Sequence, residues 1–156
     1  MADALSFNSV SSAIIMLCII TYGGNLPMQR ILIIEDDFDL ATSIRLGINL
    51  IDRPIIKQEM EFDGAAALAR VQVEPVPDLI LLDMHLPNVG GQEIYQMARQ
   101  VIPQCKIVIM TADVRLVKEI REKHGDWTHL PAPDGLFTKP FSLIEFREFI
   151  RKLVND

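Results

Sequence analysis

From residue 28 onward, apolar residues fall in two alternating rhythms. Short unbroken runs are followed by longer stretches in which apolar residues return every three or four positions. The first rhythm suits a buried strand and the second an amphipathic helix. Ile31 to Ile34 read as strand one, and Leu40, Ile44, Gly47, Ile48 and Ile51 predict a helix over 39–51. "PIIKQEM" (54–60) reads as a second strand near an edge, because polar residues interrupt it. Asp63 is placed to cap a helix over "GAAALARVQV". "DLILL" (78–82) has the apolar run of a central parallel strand. "GGQEIYQMARQV" (90–101) predicts a helix, "KIVIM" (106–110) a strand, and Val114 to about Lys123 a helix. "GLFT" (135–138) is a fifth strand. Ser142 to Val154 is a last helix, opened by Ser142-Leu143-Ile144-Glu145, the pattern of a capping box.

Strands alternating with helices predict a parallel sheet covered on both faces. In such α/β folds a site lies beyond the carboxyl ends of the strands, where strand order reverses. The residues just after each strand therefore carry the interest. No repeat, low-complexity tract or second domain is visible in the pattern, and the last unit closes at the end of the given chain.

Composition changes this picture in three ways. With 156 residues, 49% of them hydrophobic, the chain has enough apolar material for one domain core. A net charge of −6 argues against direct nucleic-acid binding, which needs a basic face. Two cysteines, Cys18 and Cys105, have neither metal-type spacing nor a disulfide framework, so a cytoplasmic setting is expected. Residues 1–27 stand apart, with Asp3 as their one charge and an apolar run "AIIMLCIITY" (13–22). That run is too short for a membrane span, which needs about 20 residues, and it lacks the basic start of a secretory signal. The expected division is an extension over 1–27, either an over-extended start or a short apolar segment, and a domain over 28–156.

The strand tips carry the chemistry. Asp36 and Asp37 follow strand one, Asp83 follows strand three, Thr111 follows strand four, and Lys139 with Pro140 follows strand five. Three neighbouring carboxylates repel one another until a cation joins them. Mg²⁺ prefers such oxygen ligands. A lysine and a hydroxyl beside the metal suit the charged oxygens of a phosphoryl group. One carboxylate is also available as a nucleophile toward phosphorus, giving an acyl phosphate. Asp83 is the best placed, because it ends the most central strand.

"ILIIEDD", "LILLDMHLPNVGG", "VIMTA" and "FTKPF", in this order and each on a predicted strand, resemble the receiver domains of two-component response regulators. The resemblance runs from about Met28 to Val154. It implies a flavodoxin-like (βα)5 doubly wound parallel sheet of strand order 2-1-3-4-5. It implies that Asp83 takes a phosphoryl group from a sensor histidine kinase or a histidine phosphotransfer protein. Asp36, Asp37 and Asp83 would hold Mg²⁺, with the backbone carbonyl of His85 as a further ligand. Thr111 and Lys139 would bind the phosphoryl group, and the Lys139–Pro140 bond would be cis. Such a protein signals by contact with a downstream protein target and needs no membrane span. A homodimer formed on phosphorylation is also compatible. The resemblance describes a phosphoacceptor that assists its own phosphorylation and slow dephosphorylation rather than an enzyme acting on other substrates.

Three departures stand out. Leu136 occupies the place three before the lysine where receivers usually carry an aromatic residue, and Phe137 is next to it. The segment "EKHGDWTHLPAPDG" before strand five is longer than the usual link, with Trp127 either packing locally or meeting a partner. No effector domain follows Asp156 in the given sequence. Asp113 suits either a helix cap or a role in water access to the phosphoryl group. His85 is placed to influence the lifetime of the phosphorylated form, whereas His124 and His129 read as surface residues. Two alternatives remain. Asp37-Phe38-Asp39 after a strand, with "VIMT", also resembles haloacid-dehalogenase-like phosphatases, which would make Asp37 the nucleophile. The other is a receiver-shaped binding scaffold that no longer uses phosphate.

Overall fold

The computed structural model describes residues 29–51 and 56–154. The expectations for residues 1–27 lie outside these. Five parallel strands form one sheet of order β2-β1-β3-β4-β5. The strands are β1 (Gln29–Ile34), β2 (Ile56–Glu61), β3 (Leu79–Asp83), β4 (Lys106–Thr111) and β5 (Gly135–Thr138). They alternate with helices α1 (Phe38–Asn49), α2 (Gly64–Arg70), α3 (Gly91–Val101), α4 (Val114–Glu122) and α5 (Leu143–Leu153). A single 3-10 turn, Gly125–Trp127, precedes β5. This is the doubly wound fold that the alternation predicts.

The period of two along each strand divides the core into two layers. Leu32, Ile34, Ile80, Leu82, Ile107 and Ile109 face one side, where Ile94, Tyr95 and Ala98 of α3 and Ile120 of α4 cover them. Ile31, Ile33, Leu79, Leu81, Val108 and Met110 face the other, under Ile44 and Ile48 of α1 and Phe146 and Ile150 of α5. Every residue of β3 is buried, as its central place requires.

Helix starts follow their caps. The side chains of Asp37, Asp63, Asp113 and Ser142 each accept backbone N–H groups of the first turn that follows. Ser142 accepts from Glu145, which is one half of the expected capping box. The strand expected from 54 begins at Ile56, the first described residue after 51, and runs to Glu61. The α2 helix is shorter than its apolar pattern suggests and ends at Arg70 rather than running through "VQV". The Arg70 guanidinium accounts for the early stop. It donates to the carbonyls of Val73 and Pro75, both at 2.9 Å, and folds the following residues back over the helix end.

Candidate functional site

The parallel register brings the strand tips together at one edge of the sheet. Backbone hydrogen bonds continue across the tips: Glu35 N–H to the Glu61 carbonyl (3.1 Å), Met84 N–H to Met110 (3.2 Å), and Lys139 N–H to Thr111 (2.8 Å). The residues just beyond β3 and β5 are thereby tied to the end of β4, and Glu35 beyond β1 is tied to the end of β2.

Lys139 is the centre of the arrangement. Its Nζ donates to Glu35 Oε2 at 2.7 Å and to Asp83 Oδ2 at 2.8 Å. Its side chain is 18% exposed, and those of Glu35 and Asp83 are 1% and 5% exposed. The Lys139–Pro140 bond is cis. The other oxygen of Asp83 accepts the backbone N–H of His85 at 3.1 Å. Carboxylate oxygens of Glu35, Asp36 and Asp83 lie within 4.8 Å of one another. This is the acidic cluster capable of holding a dication, and Asp36 is its exposed member.

Glu35 is the site residue that sequence reasoning missed, and Asp37 is the one that the geometry leaves aside. Asp37 Oδ1 accepts the N–H groups of Asp39 (2.9 Å) and Leu40 (3.0 Å), so this carboxylate caps α1. The signal becomes readable only once the helix start at Phe38 is known. An aspartate directly before the helical stretch is in N-cap position, and its oxygen is claimed by the helix. That leaves Glu35 and Asp36 for the cluster.

Electrostatics follow from this packing. Burial pushes the Glu35 carboxyl from its ordinary 4.5 up to about 7, with the Asp83 charge adding to the effect. The hydrogen bond and charge of Lys139, and the Asp37 N–H, pull the other way. Burial pulls the Lys139 ammonium down, but its hydrogen bonds to Asp83 and Glu35 outweigh that, and the net shift is upward. The ammonium is therefore a fixed cation between two acids.

Thr111 is fully buried at the end of β4. Its hydroxyl oxygen accepts the Asp113 N–H at 3.1 Å. Asp113 caps α4, and the N–H groups of Leu116 and Arg115 hold its carboxyl below the usual range. His85, His124 and His129 are all exposed. Leu136 packs with the α3-side layer and Phe137 with the α5-side layer. Phe137 lies against Phe141, Phe146 and Phe149, at ring distances of 5.6, 4.9 and 5.2 Å. It thus faces away from the layer that Leu136 joins. Beside Lys139 a shallow cavity of about 420 Å³ is lined by Asp37, Leu40, Ala112, Pro140, Phe141 and Leu143.

The chain's similarity to known proteins agrees with this geometry. The family profile described as the response regulator receiver domain matches residues 31–151. Sporulation initiation phosphotransferase F of Bacillus subtilis is 28% identical over 130 residues, covering 80% of this chain and 92% of that protein. The transcriptional regulatory protein CiaR of Streptococcus pneumoniae is 34% identical over 128 residues, and the match spans 82% of this chain but only 52% of CiaR. Among solved structures, a CheY-like response regulator receiver domain protein of Methanospirillum hungatei superposes with a TM-score of 0.68 at 22% identity, covering 83% of this chain and 95% of that one. The BeF3-activated DrrB receiver domain gives 0.66 at 19%, over 83% of this chain and all of its own.

Proposed function

This chain belongs to the response regulator receiver domain family, and from that premise we propose that Asp83 is its phosphoacceptor. The observation that supports this most strongly is the Lys139 ammonium held between Asp83 and Glu35. A carboxylate oxygen of Asp83 attacks the phosphorus of a phosphohistidine. The P–N bond breaks, its electron pair stays on the imidazole nitrogen, and an aspartyl phosphate forms. The donor is a sensor histidine kinase or a histidine phosphotransfer protein. The apolar rim beside the site suits such a donor: Phe38 is 61% exposed, and Leu143 and Ile144 are also open to solvent.

Glu35, Asp36 and Asp83 fit Mg²⁺, since all three offer carboxylate oxygen within one small cluster. The carbonyl of His85 is a further ligand on the family resemblance. A Mg²⁺ ion held by these carboxylates would supply the positive charge that neutralises the phosphoryl oxygens. Lys139 then exchanges one carboxylate partner for the phosphoryl group, and the Thr111 hydroxyl, which accepts the Asp113 N–H, donates its proton to a phosphoryl oxygen. These exchanges favour one of two conformers, and the altered face meets a downstream protein. We place the domain at residues 28–156, in the cytoplasm, acting by protein contact. No helix among the described residues is long and apolar enough to cross a membrane.

The test uses acetyl phosphate with and without Mg²⁺, read by intact mass at neutral pH. A gain of one phosphoryl group that requires Mg²⁺ and disappears in Asp83→Asn is expected. No gain under either condition contradicts the proposal.

A further inference from the structure

The long segment between α4 and β5 is not an open loop. Its one fully buried residue, Trp127, is 2% exposed and packs against Tyr95 of α3 with ring centroids 5.1 Å apart and the rings tilted by 54°. Three residues of α3 tie the segment down. Gln92 donates to Asp126 at 3.1 Å, and the Tyr95 hydroxyl donates to the Pro131 carbonyl at 2.8 Å. Arg99 donates to the Ala132 carbonyl at 3.2 Å and to Asp134 at 3.0 Å, while its guanidinium lies 5.0 Å from the Tyr95 ring centre. Gln92, Tyr95 and Arg99 are spaced to share one stripe of the helix.

The two helices joined by this segment both begin at the site. The first residue of α3, Gly91, donates to the Met84 carbonyl at 3.1 Å, and a Cβ there would lie 2.4 Å from the Asp83 carbonyl oxygen. The cap of α4, Asp113, donates its N–H to the Thr111 hydroxyl. At its other end α4 stops at Lys123 in a left-handed conformation, and the segment starts there. The near ends of α3 and α4 thus hold the acceptor and the hydroxyl, and their flanks and far ends are bolted together through Trp127.

One feature opposes the closed arrangement. The indole N–H of Trp127 is buried and finds no acceptor among the described residues. An unpaired buried donor raises the energy of the state that contains it.

We propose that residues 124–134 form a clasp, anchored by Trp127, that holds α4 to α3 in the resting conformer and rearranges when Asp83 is phosphorylated. This rests on the phosphoacceptor reading above. The clasp supplies a moving element in a chain whose Leu136 lacks the aromatic ring expected at that position. By linkage, loosening the clasp favours the occupied conformer as much as occupancy loosens the clasp.

Trp127 is the only tryptophan, so its emission in the full chain reports on the clasp directly. The protein is treated with acetyl phosphate and Mg²⁺, and emission and intact mass are followed together. A shift in emission that tracks the mass gain and is absent in Asp83→Asn supports the clasp. A full mass gain with unchanged emission overturns it while leaving Asp83 as acceptor. No mass gain overturns both readings. As a second measurement, Mg²⁺ with beryllium fluoride is titrated as a stable phosphoryl mimic. Asp126→Ala, an exposed change that spares Trp127, is expected to lower the half-saturating concentration by about twofold to fivefold. An unchanged or raised value contradicts the clasp. Arg99→Lys, which gives up more of the ties, should move it further in the same direction.

Discussion

At the scale of single residues, Glu35 governs how the site responds to pH. Its folded-state pKa of about 7 lies above the ordinary 4.5. The folded protein therefore binds more protons than the unfolded chain between those values. The contribution is fully present below pH 4.5 and is lost as pH rises through about 7. Wild type without divalent cations should lose on the order of 3 kcal/mol across that window, and Glu35→Gln should stay nearly flat. Urea denaturation of both proteins at pH 5 and pH 8 checks this, and parallel slopes would contradict it. Glu35 also shows where the residue-level reading of the sequence succeeded and where it stopped. The convergence of Asp83, Thr111 and Lys139 was legible because Asp83 and Thr111 end apolar strands, Lys139 directly follows β5, and parallel strand ends converge. The choice among three consecutive acids was not, because it depends on which carboxylate the α1 backbone claims. Likewise, strand alternation assigns Leu136 and Phe137 to opposite faces, which shows that Phe137 does not stand in for the missing aromatic ring.

At the scale of elements, two helical glycines separate freedom from fit. A Cβ at Gly47, inside α1, would meet nothing within 4 Å. Gly47→Ala should therefore stabilise the protein by about 0.5–1 kcal/mol through helix propensity and a less flexible unfolded chain. A Cβ at Gly91 would sit 2.4 Å from the Asp83 carbonyl oxygen and 2.6 Å from Met84 Cα. Gly91→Ala should destabilise by about 1–3 kcal/mol, because α3 must back away from the acceptor's backbone. Denaturation midpoints of the two variants should move in opposite directions, and a shared direction would count against this packing. The starts of α2, α4 and α5 were readable from the sequence because an acid or serine cap acts locally. The end of α2 was not, because Arg70 stops it by reaching forward to Val73 and Pro75. The seating of the segment before β5 was equally hidden, since it depends on Tyr95 and Arg99, which lie in α3 far earlier in the chain.

At the scale of the whole molecule, the fold, the acidic cluster and the clasp form one connected system. The sheet sets the tips side by side, α1 and α5 cover one face, and α2, α3 and α4 cover the other. Met84, next to Asp83, and Thr111 bond directly to the starts of α3 and α4. The order of the five strands was legible only through resemblance to a family, since alternation alone predicts a parallel sheet but not its sequence of neighbours. Every role assigned at the site depends on which carboxylate receives the phosphoryl group. Borohydride reduces an acyl phosphate to an alcohol and so marks its position permanently as homoserine. The decisive measurement is therefore to load the full chain with acetyl phosphate and Mg²⁺, reduce it, digest it, and sequence the peptides by mass. Homoserine at position 83 alone is predicted. Homoserine at position 37, or at neither position after a verified gain of phosphate, would contradict the assignment of Asp83 and with it the reading of Lys139 and Thr111 as its partners.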